Sequence, residues 1–248
     1  MLKYIILLVF FVSLSHQQCC CSNSTSTCSS SSSSDSDSLD DLDYQMSSTA
    51  GYVDACPYGW KLFNRTMGAW CIRTYSGVVN ESTAELRCSK RGAVLTSFET
   101  AAERYYVFGQ GVDQMEDKYN VTLGVMWIGM KRKPECTIVD YSTLTGCTGS
   151  SAYYWTDDFT VGTAGAYWAG YQPDFKDTVQ TCVTMYLYDG TLPSGDVRYP
   201  GSFDDIACDV SIQASAYQTV RGFACGKKAD VIALSSSTSS SSSTSSCS

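Results

Sequence analysis

Histidine is almost absent from this chain: His16 is the only one among 248 residues. It lies close to the N-terminus, outside any segment whose pattern predicts a folded core. Catalysis by Ser-His-Asp or Cys-His arrangements needs an imidazole beside the nucleophile, and many zinc sites use histidine as a ligand. The sequence therefore excludes both kinds of chemistry.

Positive charge is also scarce, with 17 Lys and Arg against 25 Asp and Glu and a net charge of −8. A nucleic-acid-binding protein needs a basic surface that displaces counterions from phosphates, so this class is excluded. The acidic residues include two adjacent pairs, Asp157–Asp158 and Asp204–Asp205. A glycosidase needs carboxylates that face each other across a cleft, and neighbours in sequence rarely do so. We therefore expect that the protein is not an enzyme.

Long apolar runs are missing beyond the first residues of the chain. Residues 4–14 are apolar apart from Ser13, but a membrane helix needs about 20 such residues. Lys3 precedes the run, and Ser13 and Ser15 are the small residues expected before a cleavage site. The pattern predicts a secretory signal peptide over residues 1–15 and a secreted, extracellular protein without a membrane span.

Cysteine, in contrast, is abundant, with 13 residues. In a secreted chain this number predicts a disulfide framework rather than metal ligands. Eight lie between residues 56 and 225, and five lie in the flanking segments: Cys19, Cys20, Cys21, Cys28 and Cys247. Because the total is odd, at least one thiol lacks a partner within the chain. Two interpretations stay open: the tail cysteines join chains into a homo-oligomer, or they pair among themselves and leave one free.

Composition divides the chain into a folded part and two flanks. Residues 16–50 are mostly Ser, Thr and Asp, and residues 229–248 are rich in Ser and Thr. Such segments bury too little apolar area to offset the entropy of ordering, so both are predicted to be disordered. One domain is expected over residues 51–228. The sequence also predicts a glycoprotein, because it has four Asn-x-Ser/Thr acceptors, at Asn23, Asn64, Asn80 and Asn120.

Within this domain the pattern predicts two helices among short strands. Residues 81–91 place Ser82 and Glu85 at capping-box spacing, and residues 99–108 place apolar side chains on one side. Strand patterns precede these helices, and further short ones follow Gly124 between loops rich in Gly and Asp. An early helical part and strands elsewhere indicate an α+β domain.

Several segments, in this order, resemble the C-type lectin-like domain. Residues 56–60 with 69–72 are similar to its opening hairpin, and residues 127–130 (Trp-Ile-Gly-Met) to its core signature. Residues 168–174 and 221–225 resemble its binding loop and closing strand. The resemblance covers essentially the whole of the predicted domain. It implies the C-type lectin-like fold: two helices, small antiparallel sheets, a long binding loop, and core positions for Trp60 and Trp127.

The resemblance also implies a set of disulfides. Three pairs follow from it: Cys56–Cys71, Cys88–Cys225 and Cys182–Cys208. We pair the other two cysteines of the domain, Cys136 and Cys147, as an additional clip on a loop.

In this family a calcium ion in the long loop coordinates both the protein and a sugar. The resemblance implies five ligands here: Gln172, Asp174, Gln180, Asp204 and Asp205. Two departures from the family pattern are Gln180, where the family has Glu, and Phe203, where it has Trp. Calcium takes six to eight oxygen ligands, and the three carboxylates of this set equal the number in the family pattern. The resemblance further implies a cis peptide bond before Pro173.

The function implied is a secreted carbohydrate-binding protein with a calcium-dependent loop site, acting in defence or at a surface on a glycan or glycoprotein. The family associates Gln-Pro-Asp with galactose-type ligands, which stack on an aromatic residue. The expected sugar contacts are Gln172, Asp174, Phe175 and Asp204, with Tyr171 and Tyr199 behind Phe175. The alternative is a metal-independent module on the same fold that binds protein or matrix, favoured by Gln180 and Phe203.

Overall fold

The structure, a computed structural model, describes residues 47–49, 51–138, 140–188, 190–191, 197–209 and 218–234, which lie in one unit that begins at Asp43. The predicted signal peptide, most of the segment 16–50 and residues 235–248 lie outside the described residues. So do the five tail cysteines, and their pairing stays a prediction. None of the helices within the described ranges is long and apolar enough to cross a membrane.

Short strands make up most of the regular structure. In chain order they are β1 (Ser47–Thr49), β2 (Tyr52–Ala55), β3 (Lys61–Arg65), β4 (Gly68–Ser76), β5 (Val94–Leu95), β6 (Val125–Arg132), β7 (Tyr153–Trp155), β8 (Cys182–Tyr186), β9 (Gly190–Thr191), β10 (Val197–Arg198), β11 (Phe203–Ile206), β12 (Val220–Lys228) and β13 (Asp230–Ala233). Eight of them form a sheet in the order β11-β8-β6-β12-β4-β3, with β5 beside β12 and β7 beside β6. Its strands are antiparallel, except that β6 and β12 run parallel.

Helix α1 spans Glu81–Ser89 and ends two residues before the predicted limit. Its N-cap is Asn80, whose side chain accepts a hydrogen bond from the Thr83 N–H. The predicted capping box of Ser82 and Glu85 is wrong, because the Glu85 carboxylate instead accepts a hydrogen bond from the Leu95 N–H at 2.8 Å. The acid that looked like part of a cap therefore connects the helix to β5.

Helix α2 spans Ala101–Tyr119 and is much longer than the predicted 99–108. Thr100 and Glu103 form a true capping box at its start. The helix continues through Gly111, where a Cβ atom would lie only 2.6 Å from Leu187 Cδ2. This glycine allows the helix to approach the sheet closely and does not end the helix. The α+β architecture with two helices is confirmed, with a corrected helix length.

Buried charge connects α2 to the sheet. Arg65 Nε lies 2.7 Å from Glu103 Oε1, and its Nη1 lies 3.1 Å from Asp157 Oδ2. All three side chains are essentially inaccessible to solvent. The guanidinium also donates to the Ser97 carbonyl and lies 4.7 Å from the Trp70 ring centroid. The donors and acceptors of this cluster are thus satisfied within the chain.

Four disulfides close the domain, and all four predicted pairs are confirmed: Cys56–Cys71, Cys88–Cys225, Cys136–Cys147 and Cys182–Cys208. The bond from Cys88 to Cys225 joins α1 to β12. The prediction for Trp127 is also confirmed: it is fully buried and its indole N–H donates to the Val79 carbonyl at 2.8 Å. Trp60 is only partly buried and lies beside Tyr75, with 6.3 Å between ring centroids.

A second sheet, in the order β1-β2-β13, contains two strands that lie beyond the predicted limits of the domain, β1 before them and β13 after them. Ser47–Thr49 and Asp230–Ala233 belong to segments whose composition predicted disorder. The residues of β13 are all exposed, so main-chain pairing rather than apolar burial holds this strand. Composition reports apolar area and does not detect such pairing.

Candidate functional site

The long loop, residues 133–181, connects β6 to β8 and contains the predicted Gln-Pro-Asp triplet. The peptide bond between Gln172 and Pro173 is cis, as the resemblance implied. Around the triplet the backbone turns tightly, with positive φ at Tyr171 and Phe175. The loop therefore brings the triplet against another part of the chain.

The triplet contacts β11 through the carboxylate of Asp205. Asp205 Oδ1 accepts a hydrogen bond from the Asp174 N–H at 3.0 Å. Its Oδ2 accepts two more, from the Phe175 N–H at 2.9 Å and from the Tyr153 hydroxyl at 2.5 Å. The two distant segments of the predicted site do converge. The donors at their junction come from the protein itself.

Burial of the Asp205 carboxyl raises its pKa, and the hydrogen bonds from Tyr153, Phe175 and Asp174 oppose that rise. Burial likewise raises the pKa of the Tyr153 hydroxyl, and its hydrogen bond to Asp205 adds to the rise. The tyrosine therefore keeps its proton and remains a donor to Asp205 at neutral pH.

Three more predicted ligands lie in the same turn. Gln172 Oε1 accepts a hydrogen bond from the Asp174 N–H at 3.1 Å. Asp174 Oδ1 and Gln180 Oε1 both accept from the Lys176 N–H, at 3.2 and 2.7 Å. These side-chain oxygens therefore cap backbone N–H groups of the loop.

Asp204, the fifth predicted ligand, points elsewhere. Successive side chains of a strand lie on opposite faces of the sheet. Asp204 accordingly accepts hydrogen bonds from the Tyr186 hydroxyl at 2.5 Å and the Gln218 amide at 3.0 Å, away from the partners of Asp205. Within the described part of the chain, no group of three or more His, Cys, Asp or Glu residues could hold a metal ion.

These oxygens do not fit a calcium ion in the arrangement described. Calcium needs six to eight oxygen ligands with lone pairs directed at it. Here the acceptors of four predicted ligands face main-chain donors, and Asp204 lies on the other face of β11. A calcium ion would have to use the second lone pairs of these oxygens, and the Asp204 side chain would have to be redirected toward it.

A buried arginine lies beneath the turn. Arg132 is 5% exposed, and its Cζ lies 3.6 Å from the Phe175 ring centroid. Its Nε donates to the Cys136 carbonyl at 2.9 Å, and its Nη1 donates to the Tyr153 hydroxyl at 3.4 Å. Tyr153 thus connects the guanidinium to the carboxylate of Asp205. Sequence reasoning missed both Arg132 and Tyr153, and the only signal was an arginine that ends an apolar strand.

The aromatic residues of the loop differ from expectation. Phe175 is 4% exposed, held between Arg132 and the ring of Tyr141, so in this conformation no sugar can stack on it. Tyr171, in contrast, is 95% exposed. Tyr167 of the loop is exposed as well, and its ring centroid lies 6.1 Å from that of Tyr199, an exposed residue that precedes β11. The accessible aromatic surface of the loop therefore consists of tyrosines.

Comparison with known proteins is consistent with this architecture. Residues 61–228, more than half of the chain, match the family model of C-type lectin domain-containing protein 141/158. Among curated proteins, none matches the chain.

Several solved structures are similar to it at low sequence identity. The C-type lectin CEL-I from Cucumaria echinata is 18% identical, with a TM-score of 0.45 over 72% of this chain and 99% of its own. A calcium-independent type II antifreeze protein is 19% identical, with a TM-score of 0.43 over 71% and 95%. The carbohydrate-recognition domain of the mouse scavenger receptor C-type lectin is 18% identical, with a TM-score of 0.41 over 71% and 99%.

Proposed function

Because this chain belongs to the family of C-type lectin domain-containing protein 141/158, we propose that it is an extracellular binding module whose long loop recognises a protein or matrix partner without calcium. One observation carries the proposal: the carboxylate of Asp205 accepts three hydrogen bonds from the chain itself. The four disulfides support an extracellular location, since such bonds persist in oxidising compartments. We propose no catalytic role.

The energetic argument concerns a buried charge. A hydrogen bond to a charged group contributes about 1.5–3 kcal/mol, so three of them offset much of the cost of burying the Asp205 carboxylate. Arg132 supplies positive charge close by, because it donates to the same Tyr153 hydroxyl that donates to Asp205. Donors of the chain thus stabilise the buried carboxylate, which is the effect that a bound cation would have in this turn.

The surface available for a partner is aromatic. Tyr171 is almost fully exposed. Tyr167 lies next to Trp168, which pairs with Phe203 of β11, and the Tyr167 ring is close to that of the exposed Tyr199. Tyrosine provides large contact area at a small cost in side-chain entropy and is enriched in interfaces. The buried Arg104 side chain lies 4.8 Å from the Tyr167 ring centroid and packs against this ring from within the domain. We propose Tyr171 as the central contact of this surface.

Calcium-dependent recognition of galactose-type glycans is the competing proposal. It places Gln172, Asp174, Gln180, Asp204 and Asp205 around the ion. The meeting of the triplet with Asp205 favours it, whereas the occupied acceptors and the direction of Asp204 oppose it.

One experiment separates the two. The secreted full chain is titrated with CaCl2 into the millimolar range, which covers weak extracellular calcium sites, and with MgCl2 as the control. We expect no saturable heat specific to calcium and no shift of the unfolding midpoint. Binding to immobilised collagen, laminin and fibronectin is then measured with calcium and with EDTA.

The matched variants are Tyr171→Ala and Tyr58→Ala, since these tyrosines are 95% and 90% exposed and only the first belongs to the long loop. We expect binding that persists in EDTA and falls about tenfold with the first change alone, the loss typical of an interface anchor. Calcium-specific heat, or a galactose signal on a glycan array that EDTA abolishes, contradicts the proposal. The absence of binding to every matrix protein, or equal loss in both variants, also contradicts it.

A further inference from the structure

A polar groove lies between β4 and α2, and none of its lining residues belongs to the long loop. Its volume is about 370 Å³. One wall is the face of α2 that carries Tyr106, Gln110 and Gln114, and the floor is residues 73–76 at the end of β4. Strand β3 pairs with β4 only as far as Ile72, so beyond that residue β4 has an open edge in the groove.

Cations gather around this groove in a protein of net charge −8. We call them the basic face; they come from β4, α1, α2, β12 and the turn after α1: Arg73, Arg87, Arg91, Lys118, Arg221 and Lys227. Among the described residues, none of the six forms an ion pair with a carboxylate. Arg65, by contrast, is neutralised by Glu103 and Asp157.

Contacts of these cations connect the basic face to the groove. Arg91 and Arg73 lie 4.3 and 5.4 Å from the Tyr75 ring centroid. Lys118 Nζ lies 3.0 Å from Ser76 Oγ, the next residue along the floor. Lys227 lies 5.1 Å from the ring of Trp60, which is 6.3 Å from the ring of Tyr75. Positive charge beside the groove is therefore spread over several residues.

The groove also contains an unmatched acceptor. Gln114 Nε2 donates to Thr74 Oγ1 at 2.8 Å, but Gln114 Oε1 is buried and has no hydrogen-bond partner among the described residues. Because Oε1 is inaccessible to solvent, a ligand in the groove meets the side chains of Tyr106 and Gln110 instead, which line the groove and are partly exposed.

We propose that the groove and the basic face bind an anionic polysaccharide, a sugar chain that carries sulfate or carboxylate groups. Guanidinium groups match such anions with two parallel hydrogen bonds, and sugar hydroxyls can hydrogen-bond to the side chains of Tyr106 and Gln110. A small inorganic anion such as sulfate meets the first requirement only. This site is separate from the loop surface proposed above and needs no metal.

Carboxylates of α2 limit the strength of this binding. Asp113 and Asp117 each precede a residue of the groove side, Gln114 and Lys118, by one position, so they lie about 100° further around the helix. Both are exposed. Attraction to the basic face is therefore local, and we expect it to weaken steeply as salt screens it.

The test uses the full secreted chain and immobilised heparin, with chemically desulfated heparin as the second probe and EDTA throughout. Arg73→Gln with Arg91→Gln removes two charges beside Tyr75, and Lys133→Gln with Lys176→Gln removes two from the long loop. A hydrogen bond to a charged group is worth about 1.5–3 kcal/mol, so the first pair should weaken binding at least about tenfold. The second pair should leave affinity within about twofold, the size of a distant screened interaction.

Two further variants and the desulfated probe give additional tests of the proposal. Gln110→Leu should weaken binding with no loss of charge, and the salt dependence should remain that of the wild type. Tyr171→Ala should leave heparin binding unchanged, so failure of the loop proposal does not decide this one. Retained binding to desulfated heparin assigns the site to carboxylates, and lost binding assigns it to sulfates. The proposal is wrong if the wild type does not bind heparin at low salt, or if both charge pairs weaken binding equally.

Discussion

The turn of the long loop and the basic face differ in whether their charged side chains have partners within the chain. In the turn, Asp205 is surrounded by the Tyr153 hydroxyl and two backbone N–H groups, so the chain itself satisfies the buried carboxylate. On the basic face, Arg73 and Arg91 stack near Tyr75 without any carboxylate partner in the described ranges. The hydrogen bonds to Asp205 offset part of the cost of burying its carboxylate, whose pKa burial nevertheless raises. A region that leaves cations unmatched is suited to a charged ligand.

The largest expected effect compares two arginines of neighbouring strands. Arg65→Met leaves Glu103 and Asp157 as buried carboxylates without their cation, and breaking a buried pair in this way costs about 3–5 kcal/mol. Arg73→Met removes a half-exposed cation without an ion pair and should change the free energy of unfolding by less than about 0.5 kcal/mol. Denaturant unfolding of both variants measures the difference. Similar losses of unfolding free energy in the two variants would contradict the proposed difference between the ion-paired Arg65 and the unpaired Arg73.

A smaller effect is expected in the loop turn. Tyr153→Phe removes one donor to Asp205 and the acceptor of Arg132 Nη1, which leaves buried polar groups unmatched. We expect a loss of about 1–3 kcal/mol in unfolding free energy. Tyr154→Phe is the matched control, since Tyr154 is 41% exposed on the adjacent position. Added calcium should restore no stability to Tyr153→Phe; recovery specific to calcium would show that the turn accepts the ion.

The smallest effect concerns an exposed carboxylate that the chain also satisfies. For Glu99, burial favours the neutral form, but hydrogen bonds from the Thr66 side chain and from the Thr66 and Val161 N–H groups outweigh it and lower the pKa. A lowered pKa contributes stability above the ordinary value of 4.5, and that contribution is lost as pH falls below it. Glu99→Gln should therefore reduce the unfolding midpoint at neutral pH and flatten its fall in acid. An unchanged acid slope would show that these bonds contribute nothing.

Much of the fold could be predicted from the sequence, because the order of short motifs and the spacing of cysteines are features of the chain itself. These features carry the resemblance to the C-type lectin-like domain, which implied the pairing Cys88–Cys225, and the core position predicted for Trp127 is likewise confirmed. Helix α2 extended beyond its predicted end at Phe108, because local pattern does not show that Gly111 packs against Leu187. Strand β13 was missed because backbone pairing leaves no apolar signature.

The site was predictable in position and less so in detail. Gln172, Asp174, Gln180 and Asp205 do meet in one turn. A motif gives the position of a residue but not the direction of its side chain, and Asp204 lies on the opposite face of β11. Tyr153 belongs to no motif, and its role depends on contacts made after folding. The basic face could not be predicted from the net charge of −8, because its cations come from segments far apart in sequence.

The small sheet of β1, β2 and β13 has a mechanical consequence. Both β1 and β13 belong to it, on opposite sides of β2, and each runs antiparallel to β2. The chain thus enters at Ser47 and leaves at Leu234 toward opposite ends of one short ladder. Tension between the two serine-rich flanks would load those hydrogen bonds in shear, all at once, before any force reached the domain that carries the loop and the groove.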